Sequence, residues 1–177
     1  MLKSMLAGAT ASLALLTASS YAIPLTLDSD WQYFAFEGEG SSFSTTFEFT
    51  LTETAYLAVT DAYLAGDQFE IFLNGDSIGL TSVPLGFEDE IDDDFDFAFG
   101  SMLWSSAEIA LSPGTYVLSG LAALSPFDGG GAALQLSSTA LGGPAFITSE
   151  VPIPAAAVLF GTALIAGSAT RIRRRKT

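Results

Sequence analysis

The segment FSTTFEFTLT, which starts at Phe43, alternates apolar and polar side chains. One face carries Phe43, Thr45, Phe47, Phe49 and Leu51, and the other carries serine, threonine and glutamate. A repeat of two is the side-chain period of a β-strand, whereas a helix repeats about every 3.6 residues. The pattern therefore predicts a strand with one buried face and commits this part of the chain to a sheet.

Short strand-like segments recur along the chain, separated by turn residues. In QFEIFLNGDSIGL, the pair Asn74-Gly75 predicts a two-residue hairpin turn, because both residue types tolerate a positive φ. The other strand candidates span residues 31 to 36, 55 to 60, 107 to 111, 115 to 120 and 132 to 137. Only SMLWSS, residues 101 to 106, predicts a helical turn. This series of short strands predicts an all-β fold, an antiparallel, jelly-roll-like β-sandwich.

The chain contains no histidine and no cysteine. Their absence excludes Ser-His-Asp and Cys-His catalysis, imidazole or thiolate zinc sites, thiol redox chemistry and disulfide bonds. The fold must therefore rest on burial of apolar side chains, and 49% of the residues are hydrophobic, with 14 Phe among them. Glycoside hydrolysis by two carboxylates is the main chemistry still open, but no pair stands out by its spacing. We expect a protein that is not an enzyme and has no catalytic residues.

Charge is divided sharply along the chain. Residues 23 to 150 contain no Lys or Arg, whereas all 20 acidic residues lie there, so the formal side-chain charge of this region is 0 − 20 = −20. Such a surface repels phosphate backbones and anionic lipid headgroups, which argues against nucleic acid as a partner. It attracts cations, Ca²⁺ above all.

The N-terminal 22 residues have the features of a secretory signal peptide. A single positive charge at Lys3 precedes an apolar run from Leu6 to Leu16, and small residues stand at Ser20 and Ala22. Signal peptidase accepts such small residues, so we expect cleavage between Ala22 and Ile23. The alternative is an N-terminal anchor helix, which the short apolar run and the well-placed cleavage site disfavour.

The C-terminal segment has the features of a single transmembrane helix. Residues 151 to 170 carry no charge, and about 20 helical residues match the hydrocarbon thickness of a bilayer. Basic residues follow directly and predict a cytoplasmic tail with residues 23 to 150 outside. The tail residues are Arg171, Arg173, Arg174, Arg175 and Lys176. The alternative, a buried C-terminal core helix, is disfavoured by this basic tail.

The order of these C-terminal parts resembles the PEP-CTERM sorting signal of bacterial surface proteins. The motif Val151-Pro152-Ile153-Pro154 stands where typical members carry Pro-Glu-Pro, and AAAVLFGTALIAGSA and RIRRRK follow it. The resemblance implies that a membrane-embedded exosortase recognises the motif, cuts the chain near it and transfers the protein to the envelope or extracellular matrix. VTDAYLAGDQFEIFLNG is also similar to a strand-loop-strand signature in the mature domains of several PEP-CTERM proteins.

Together, the sequence features and the C-terminal resemblance predict four parts in the chain. These are a signal peptide over residues 1 to 22, a β-sandwich over 23 to 139, a spacer over 140 to 150 and the sorting signal over 151 to 177. The expected function is that of a non-catalytic exported surface or extracellular-matrix protein, with exosortase and exopolysaccharide as partners. The acidic surface would tolerate an anionic polysaccharide only at high salt or through bridging divalent cations.

The loop GFEDEIDDDFDF, residues 86 to 97, concentrates carboxylates. Its acidic residues are Glu88, Asp89, Glu90, Asp92, Asp93, Asp94 and Asp96. Carboxylate oxygens without competing nitrogen or sulfur ligands suit Ca²⁺, although the ligand order of an EF-hand is absent. The candidate Ca²⁺ ligands are Asp89, Asp92, Asp93, Asp94 and Asp96. The alternative is a solvated, flexible acidic loop.

Two further features concern loops near the predicted hairpin. Asp61 and Asp67 flank the loop AYLAG, and we expect their side chains to cap the turn by accepting backbone N–H bonds rather than to bind metal. Glu70 and Asp76 lie further along the hairpin. The run Asp128-Gly129-Gly130-Gly131 predicts a flexible loop.

Carbohydrate binding, or cleavage, is the alternative function. Trp31, Tyr33, Tyr63 and Trp104 are candidates to present aromatic rings to sugar faces. Aromatic residues in alternating strands are more often part of the core, and we expect that role for each Trp. An exposed Trp beside a groove would favour sugar binding, whereas two buried Trp residues without a cleft would favour a surface protein without such a site.

Overall fold

The computed structural model describes residues 22 to 148, which form nine strands and one short helix. Most strands lie where the alternating segments predict them, whereas β1 has no counterpart among the predictions. The strands are β1 (Ala22–Pro24), β2 (Gln32–Phe36), β3 (Thr46–Leu51), β4 (Ala55–Asp61), β5 (Gln68–Leu73), β6 (Asp76–Leu80), β7 (Ser106–Leu111), β8 (Gly114–Leu124) and β9 (Gly130–Ser137), and the helix is α1 (Phe95–Gly100).

The strands form two sheets that face each other. One sheet has the order β1-β3-β8-β5-β6, and the other has the order β2-β9-β4-β7. All neighbours are antiparallel except β1 and β3, which run parallel. The prediction of an all-β, two-sheet antiparallel sandwich is therefore confirmed.

The core lies between the two sheets and is rich in phenylalanine. The alternation that predicts β3 is confirmed, because Phe47, Phe49 and Leu51 are all buried. Phe69 of β5 packs against Phe34 of the opposite sheet, with 5.8 Å between their ring centroids. Phe69 also lies 5.1 Å from Phe36 and 5.8 Å from Phe43, measured between centroids. In a chain without disulfides, these ring contacts join the sheets.

The predicted hairpin turn is present between β5 and β6. Asn74 and Gly75 have φ values of 54° and 88°, as the two central positions of such a turn require. The Asn74 side chain has a second role, since its Oδ1 accepts the backbone N–H of Val117 at 2.8 Å. The turn is thereby attached to the neighbouring strand β8.

The helix lies before the segment in which the sequence predicts a helical turn. Residues 101 to 106 are not helical, so that prediction is wrong, and α1 ends at Gly100. The reason is the N-terminal cap, because the Asp94 carboxylate accepts the backbone N–H of Phe97 at 3.0 Å. Ala98 of the helix is buried with Ala65 and Trp104 in a second, small core. Contacts of α1 with β4 and β7 place this second core beside the four-stranded sheet.

The C-terminal part of the described chain is attached to both sheets. Ile147 exchanges two backbone hydrogen bonds with Leu80, at the edge of the five-stranded sheet. Glu108, on the edge strand β7, donates its N–H to the carbonyl of Pro144 at 2.7 Å, and its carboxylate accepts the N–H of Leu141 at 2.6 Å. Most of the predicted spacer is thus part of the domain and covers two sheet edges that would otherwise be open.

Several sequence predictions concern residues outside the described range of 22 to 148. They are the signal peptide up to Tyr21, the motif Val151 to Pro154 and the basic tail from Arg171. Ala22 and Ile23, which flank the predicted cleavage site, are described and lie in β1. Within residues 22 to 148, no helix has the length and apolar character needed to cross a membrane.

Replacement of Phe69 tests the role of the ring cluster. We expect Phe69→Ala to lower the free energy of unfolding by about 3 to 5 kcal/mol, because it leaves a cavity among three other rings. The measurement is urea denaturation of the fragment 23 to 150, which contains both sheets. Val117→Ala is the control, since Val117 is 45% exposed; it should change stability by no more than about 0.5 kcal/mol. Equal losses in the two variants would contradict this account of the core.

Candidate functional site

Five aromatic residues lie side by side on and beside the outer face of the four-stranded sheet. We call them the aromatic row: Tyr33, Tyr63, Phe95, Trp31 and Phe99. The distances between consecutive ring centroids are 6.2 Å, 6.3 Å, 6.4 Å and 5.5 Å in that order. Tyr33 belongs to β2, Tyr63 to the loop after β4, and the two phenylalanines to α1. The row therefore depends on three parts of the chain that are distant in sequence.

Two members of the row are well exposed. The Tyr33 side chain is 51% exposed and that of Tyr63 is 38% exposed, whereas Trp31 and Phe95 are half-buried. Trp104 is different, since it is only 3% exposed and its Nε1 donates to the Tyr63 carbonyl at 3.3 Å. Three of the four aromatic residues proposed from the sequence therefore belong to the row. The core role expected for each Trp is confirmed for Trp104, whereas for Trp31 it is wrong, because that side chain is half-buried and lies outside both cores.

Tyr63 has an unusual backbone conformation. Its φ is 60°, in the left-handed region that bulky residues rarely adopt. Two donors hold the Tyr63 carbonyl in place, namely the N–H of Ile91 at 2.9 Å and the indole of Trp104. Residues in such conformations persist only where the surrounding structure determines them, and they cluster at functional sites. The surrounding structure here is the loop that Asp61 organises.

Asp61 is fully buried and holds the loop that carries Tyr63. Its carboxylate accepts the backbone N–H groups of Ala62 at 2.8 Å, Gly66 at 3.2 Å and Asp67 at 3.2 Å. The prediction that Asp61 caps the turn is therefore confirmed. Burial is the main cause that raises the Asp61 pKa to about 8, and the nearby charge of Asp67 adds to it, whereas the three hydrogen bonds act in the opposite direction.

Asp67 does not share this role. Its side chain is 3% exposed, and its Oδ1 has no hydrogen bond of normal geometry among the described residues. Burial raises the Asp67 pKa, and the nearby Ser125 hydroxyl lowers it in part, although Ser125 does not complete a regular hydrogen bond either. The expected capping by Asp67 is not what its side chain does; the residue instead forms a buried acidic pair with Asp61.

Gly131 gives the two tyrosines their positions. A Cβ atom at this residue would lie 2.9 Å from Cε2 of Tyr63 and would overlap the ring of Tyr33. The sequence predicts a flexible loop over residues 128 to 131, but β9 already begins at Gly130, and Gly131 pairs with Ala35 of β2. The glycines are therefore part of the sheet, and at Gly131 the missing side chain makes room for aromatic rings. The available signal in the sequence was Tyr33, which lies two residues before Ala35 in β2 and therefore on the same face of the sheet as the space above Gly131.

The acidic loop is packed against the domain at several points. The Asp89 carbonyl accepts the N–H of Ala65 at 2.7 Å, and Leu64 pairs with Glu90 as an isolated bridge. Asp96 accepts the indole N–H of Trp31 at 2.8 Å. The alternative for this segment was a solvated, flexible loop, and a loop with these contacts is instead held against the domain.

Asp92 and Asp93 are the exposed carboxylates next to the aromatic row. They follow Ile91, whose N–H is bonded to the Tyr63 carbonyl. Burial raises the Tyr63 pKa, and Tyr33, Asp93 and Asp92 add to the shift in that order. The side of the row near Tyr63 is therefore electronegative.

Metal binding by the acidic loop gains no support from its geometry. Across residues 22 to 148, no three acidic side chains are grouped in a way that could hold a metal ion. Among the candidate ligands, Asp94 caps α1 and Asp96 binds Trp31. The carboxylate of Asp89 accepts the N–H of Phe87 at 3.2 Å. Ca²⁺ binding by Asp89, Asp92, Asp93, Asp94 and Asp96 stays a prediction.

A shallow cavity of about 400 Å³ lies at one end of the aromatic row. It is bounded by the loop after β6, the end of α1 and residues 141 to 144, and Phe99 of the row is part of its wall. Its lining includes the exposed apolar side chains of Val83, Leu85 and Met102 and no charged residue. Trp31 packs against Phe99 but does not itself line the cavity.

Comparisons with known proteins give a likeness among solved structures alone. No family model matches the chain, and no curated protein matches it. Among solved structures, the pre-peptidase C-terminal domain of a collagenase from Bacillus anthracis is similar, with a TM-score of 0.41 and 11% sequence identity. The likeness covers 68% of this chain and 98% of that domain. A TM-score this low supports no inference about function.

The buried acidic pair predicts an unusual pH dependence. Because the folded-state pKa of Asp61 is about 8 against an ordinary 3.8, the folded protein keeps a proton that the unfolded chain releases. The stabilisation is complete below about pH 4 and is lost as the pH rises to about 8. The chain has no histidine, and an ordinary carboxylate does not titrate between about pH 6 and pH 8. The fall in this window is at most about 1.4 kcal/mol per pH unit and proton, and the part of it that is lost when Asp61 cannot ionise belongs to this pair, whereas the α-amino group titrates in every variant.

The variant Asp61→Asn separates the contribution of Asp61 to the pH dependence of the unfolding free energy from the contributions of other titrating groups. The amide cannot ionise, so we expect a flatter dependence of the unfolding free energy on pH over this window, together with a lower stability because one of two acceptor oxygens is lost. Urea denaturation at several pH values measures both. The control Asp76→Asn removes an exposed carboxylate and should keep the wild-type slope. An unchanged slope in Asp61→Asn would show that this proton is not held in the folded state.

Proposed function

We propose that this protein is an exported bacterial surface or extracellular-matrix protein whose C-terminus is a sorting signal for an exosortase. The observation that carries the proposal is the order of the C-terminal parts: the motif Val151 to Pro154, an uncharged segment and a basic tail. The signal peptide and the single transmembrane helix belong to the same proposal. It is supported by the attachment of Ile147 to Leu80, which ties the described chain to the domain four residues before Val151 in the sequence.

The strand order supports a finer description of the exported domain. From β2 to β9 the chain changes sheet at every connection except the hairpin between β5 and β6. Without β1, the two sheets have four strands each in the arrangement that two Greek keys produce. We infer that the domain is a jelly roll with one added parallel strand at an edge.

We propose that the domain is not catalytic. Its two carboxyl groups with raised pKa values, Asp61 and Asp67, are the natural candidates for acid-base chemistry. Both are enclosed, at 0% and 3% exposure, and Asp61 is engaged by three backbone N–H groups. A substrate would have no access to them, so they support the fold.

The sorting proposal predicts a defect from changes in the proline motif alone. In cells that express an exosortase, we expect Pro152→Ala/Pro154→Ala to remain in the membrane fraction with its basic tail, because the recognised sequence is lost. The wild-type chain should be recovered outside the membrane without that tail. Cell fractionation and mass spectrometry of the intact protein measure both outcomes.

The control for this experiment is Pro84→Ala, which changes a proline far from the motif. It should be sorted like the wild type. Release of the double variant to the same extent as the wild type would refute the proposal. The same spectra test whether the mature chain begins at Ile23.

A second function, glycan binding, is favoured by the aromatic row. Tyr33 and Tyr63 are neighbours and are well exposed, and Phe95 connects Tyr63 to Trp31. Aromatic rings provide rigid apolar surface with a polar edge, which suits the apolar faces of sugar rings. We propose that a matrix polysaccharide binds along the row, without being cleaved.

Replacement of Tyr33 tests glycan binding. We expect Tyr33→Ala to weaken the affinity of the fragment 23 to 150 for a polysaccharide in the gel by about fivefold, and so to reduce its retardation, since one exposed ring is worth on the order of 1 kcal/mol. Gels with neutral, anionic and amino polysaccharides identify the polymer. The control is Tyr56→Ala, a half-buried tyrosine of the same sheet away from the row. Equal migration in every gel and in a gel without polysaccharide would rule out glycan binding.

A further inference from the structure

We propose that the aromatic row binds a glycan that carries protonated amino groups, such as a polymer of glucosamine. The carboxylates of Asp92, Asp93 and Asp96 lie along one side of the row and supply the charge that such a ligand requires. This inference rests on the glycan-binding function proposed above and names its ligand class.

The first argument is the charge of the whole domain. Residues 23 to 150 contain 20 acidic side chains and no basic one. An anionic polysaccharide would meet repulsion at every approach to the row, and no Lys or Arg is present there to bind a uronate or sulfate group. A neutral polysaccharide would gain nothing from the charge. A cationic one is attracted over long range, and the attraction weakens as salt is added.

The second argument is that the carboxylates are held next to the rings. Asp96 is bonded through Oδ1 to the indole of Trp31 at 2.8 Å. Asp92 and Asp93 come directly after Ile91, whose N–H is bonded to the Tyr63 carbonyl at 2.9 Å. All three carboxylates belong to exposed residues. Asp96 thus places a carboxylate on the row itself, and the charges of Asp92 and Asp93 lie close enough to Tyr63 to raise its pKa.

The third argument is that the rings themselves attract cations. An ammonium group within about 6 Å of an aromatic centroid is stabilised by the ring quadrupole, and aromatic cages that bind cationic ligands use this interaction. The two exposed rings, Tyr33 and Tyr63, stand 6.2 Å apart at 80° to each other. Each ring keeps an exposed part to which an ammonium group can bind, and the charges of Asp92 and Asp93 act on Tyr63.

The test compares three hexasaccharides with the same β-1,4 linkage: glucosamine, N-acetylglucosamine and glucose. Calorimetric titration of the fragment 23 to 150 is performed at a pH that keeps the amino groups protonated and at several salt concentrations. We expect the glucosamine hexamer to bind at least about tenfold more tightly than the other two, with an advantage that shrinks as salt is added. Tyr33→Ala should weaken binding of every hexamer that binds to the wild type.

Paired variants separate the site from general attraction to an acidic surface. Asp92→Asn/Asp93→Asn should weaken the glucosamine hexamer by about fivefold to tenfold and leave the neutral hexamers unchanged. Glu48→Gln/Asp76→Asn is the matched control, because it removes two exposed charges from the other sheet. Thermal midpoints measure whether the variants are folded. The comparison of the three hexamers uses the wild-type fragment, so it tests the proposal even if a variant does not fold.

The outcomes distinguish this inference from the function on which it rests. If the neutral hexamers bind as tightly as the glucosamine hexamer and Tyr33→Ala weakens all of them, glycan binding stands and the cationic ligand is refuted. If both double variants weaken the glucosamine hexamer equally, the attraction is a property of the whole surface and the site is refuted. If no hexamer binds, the cationic ligand is refuted, and equal migration in every gel would refute glycan binding as well.

Discussion

The contact of Phe69 with Phe34, Phe36 and Phe43 joins two sheets in a domain that has neither disulfides nor basic residues. With no opposite charge in residues 23 to 150, ion pairs within that stretch are impossible, and its 20 acidic side chains repel one another. Apolar burial between the sheets must exceed this repulsion for the domain to fold. The positions of the exposed residues, including those of the aromatic row, all depend on that packing.

Asp61 connects the core to the proposed binding site. A buried carboxylate without a cation is costly, and the raised pKa means that the folded protein keeps a proton on this group near neutral pH. Its three hydrogen bonds shape the loop in which Tyr63 adopts a left-handed conformation. The Tyr63 carbonyl in this loop also accepts the backbone N–H of Ile91, so the position of the acidic segment depends on the loop. One buried acidic side chain thus sets both the aromatic and the acidic part of the site.

The acidic segment has more than one role in this arrangement. Asp94 begins the helix, Asp96 orients Trp31, and the backbone near Asp89 and Ile91 binds the loop. Asp92 and Asp93 are exposed, and their charges raise the Tyr63 pKa. A run of like charges on a surface is normally explained by solubility alone. Here the contacts of the acidic segment with the Tyr63 loop and with Trp31 hold it beside the aromatic row. Its negative charge therefore affects which ligand the row can bind.

Local pattern was sufficient for most of the strands, the Asn74-Gly75 turn, the turn-capping Asp61 and the separation of charge, because each depends on residues close together in the chain. The sequence was not sufficient for the helix at Phe95, the attached segment that ends at Ile147, or the space above Gly131. These depend on contacts between residues that are distant in sequence, and composition carries no record of such distances. The aromatic row belongs to the second group: its residue types are visible in the sequence, but only the packing of the sheet, the loop and the helix brings their rings together.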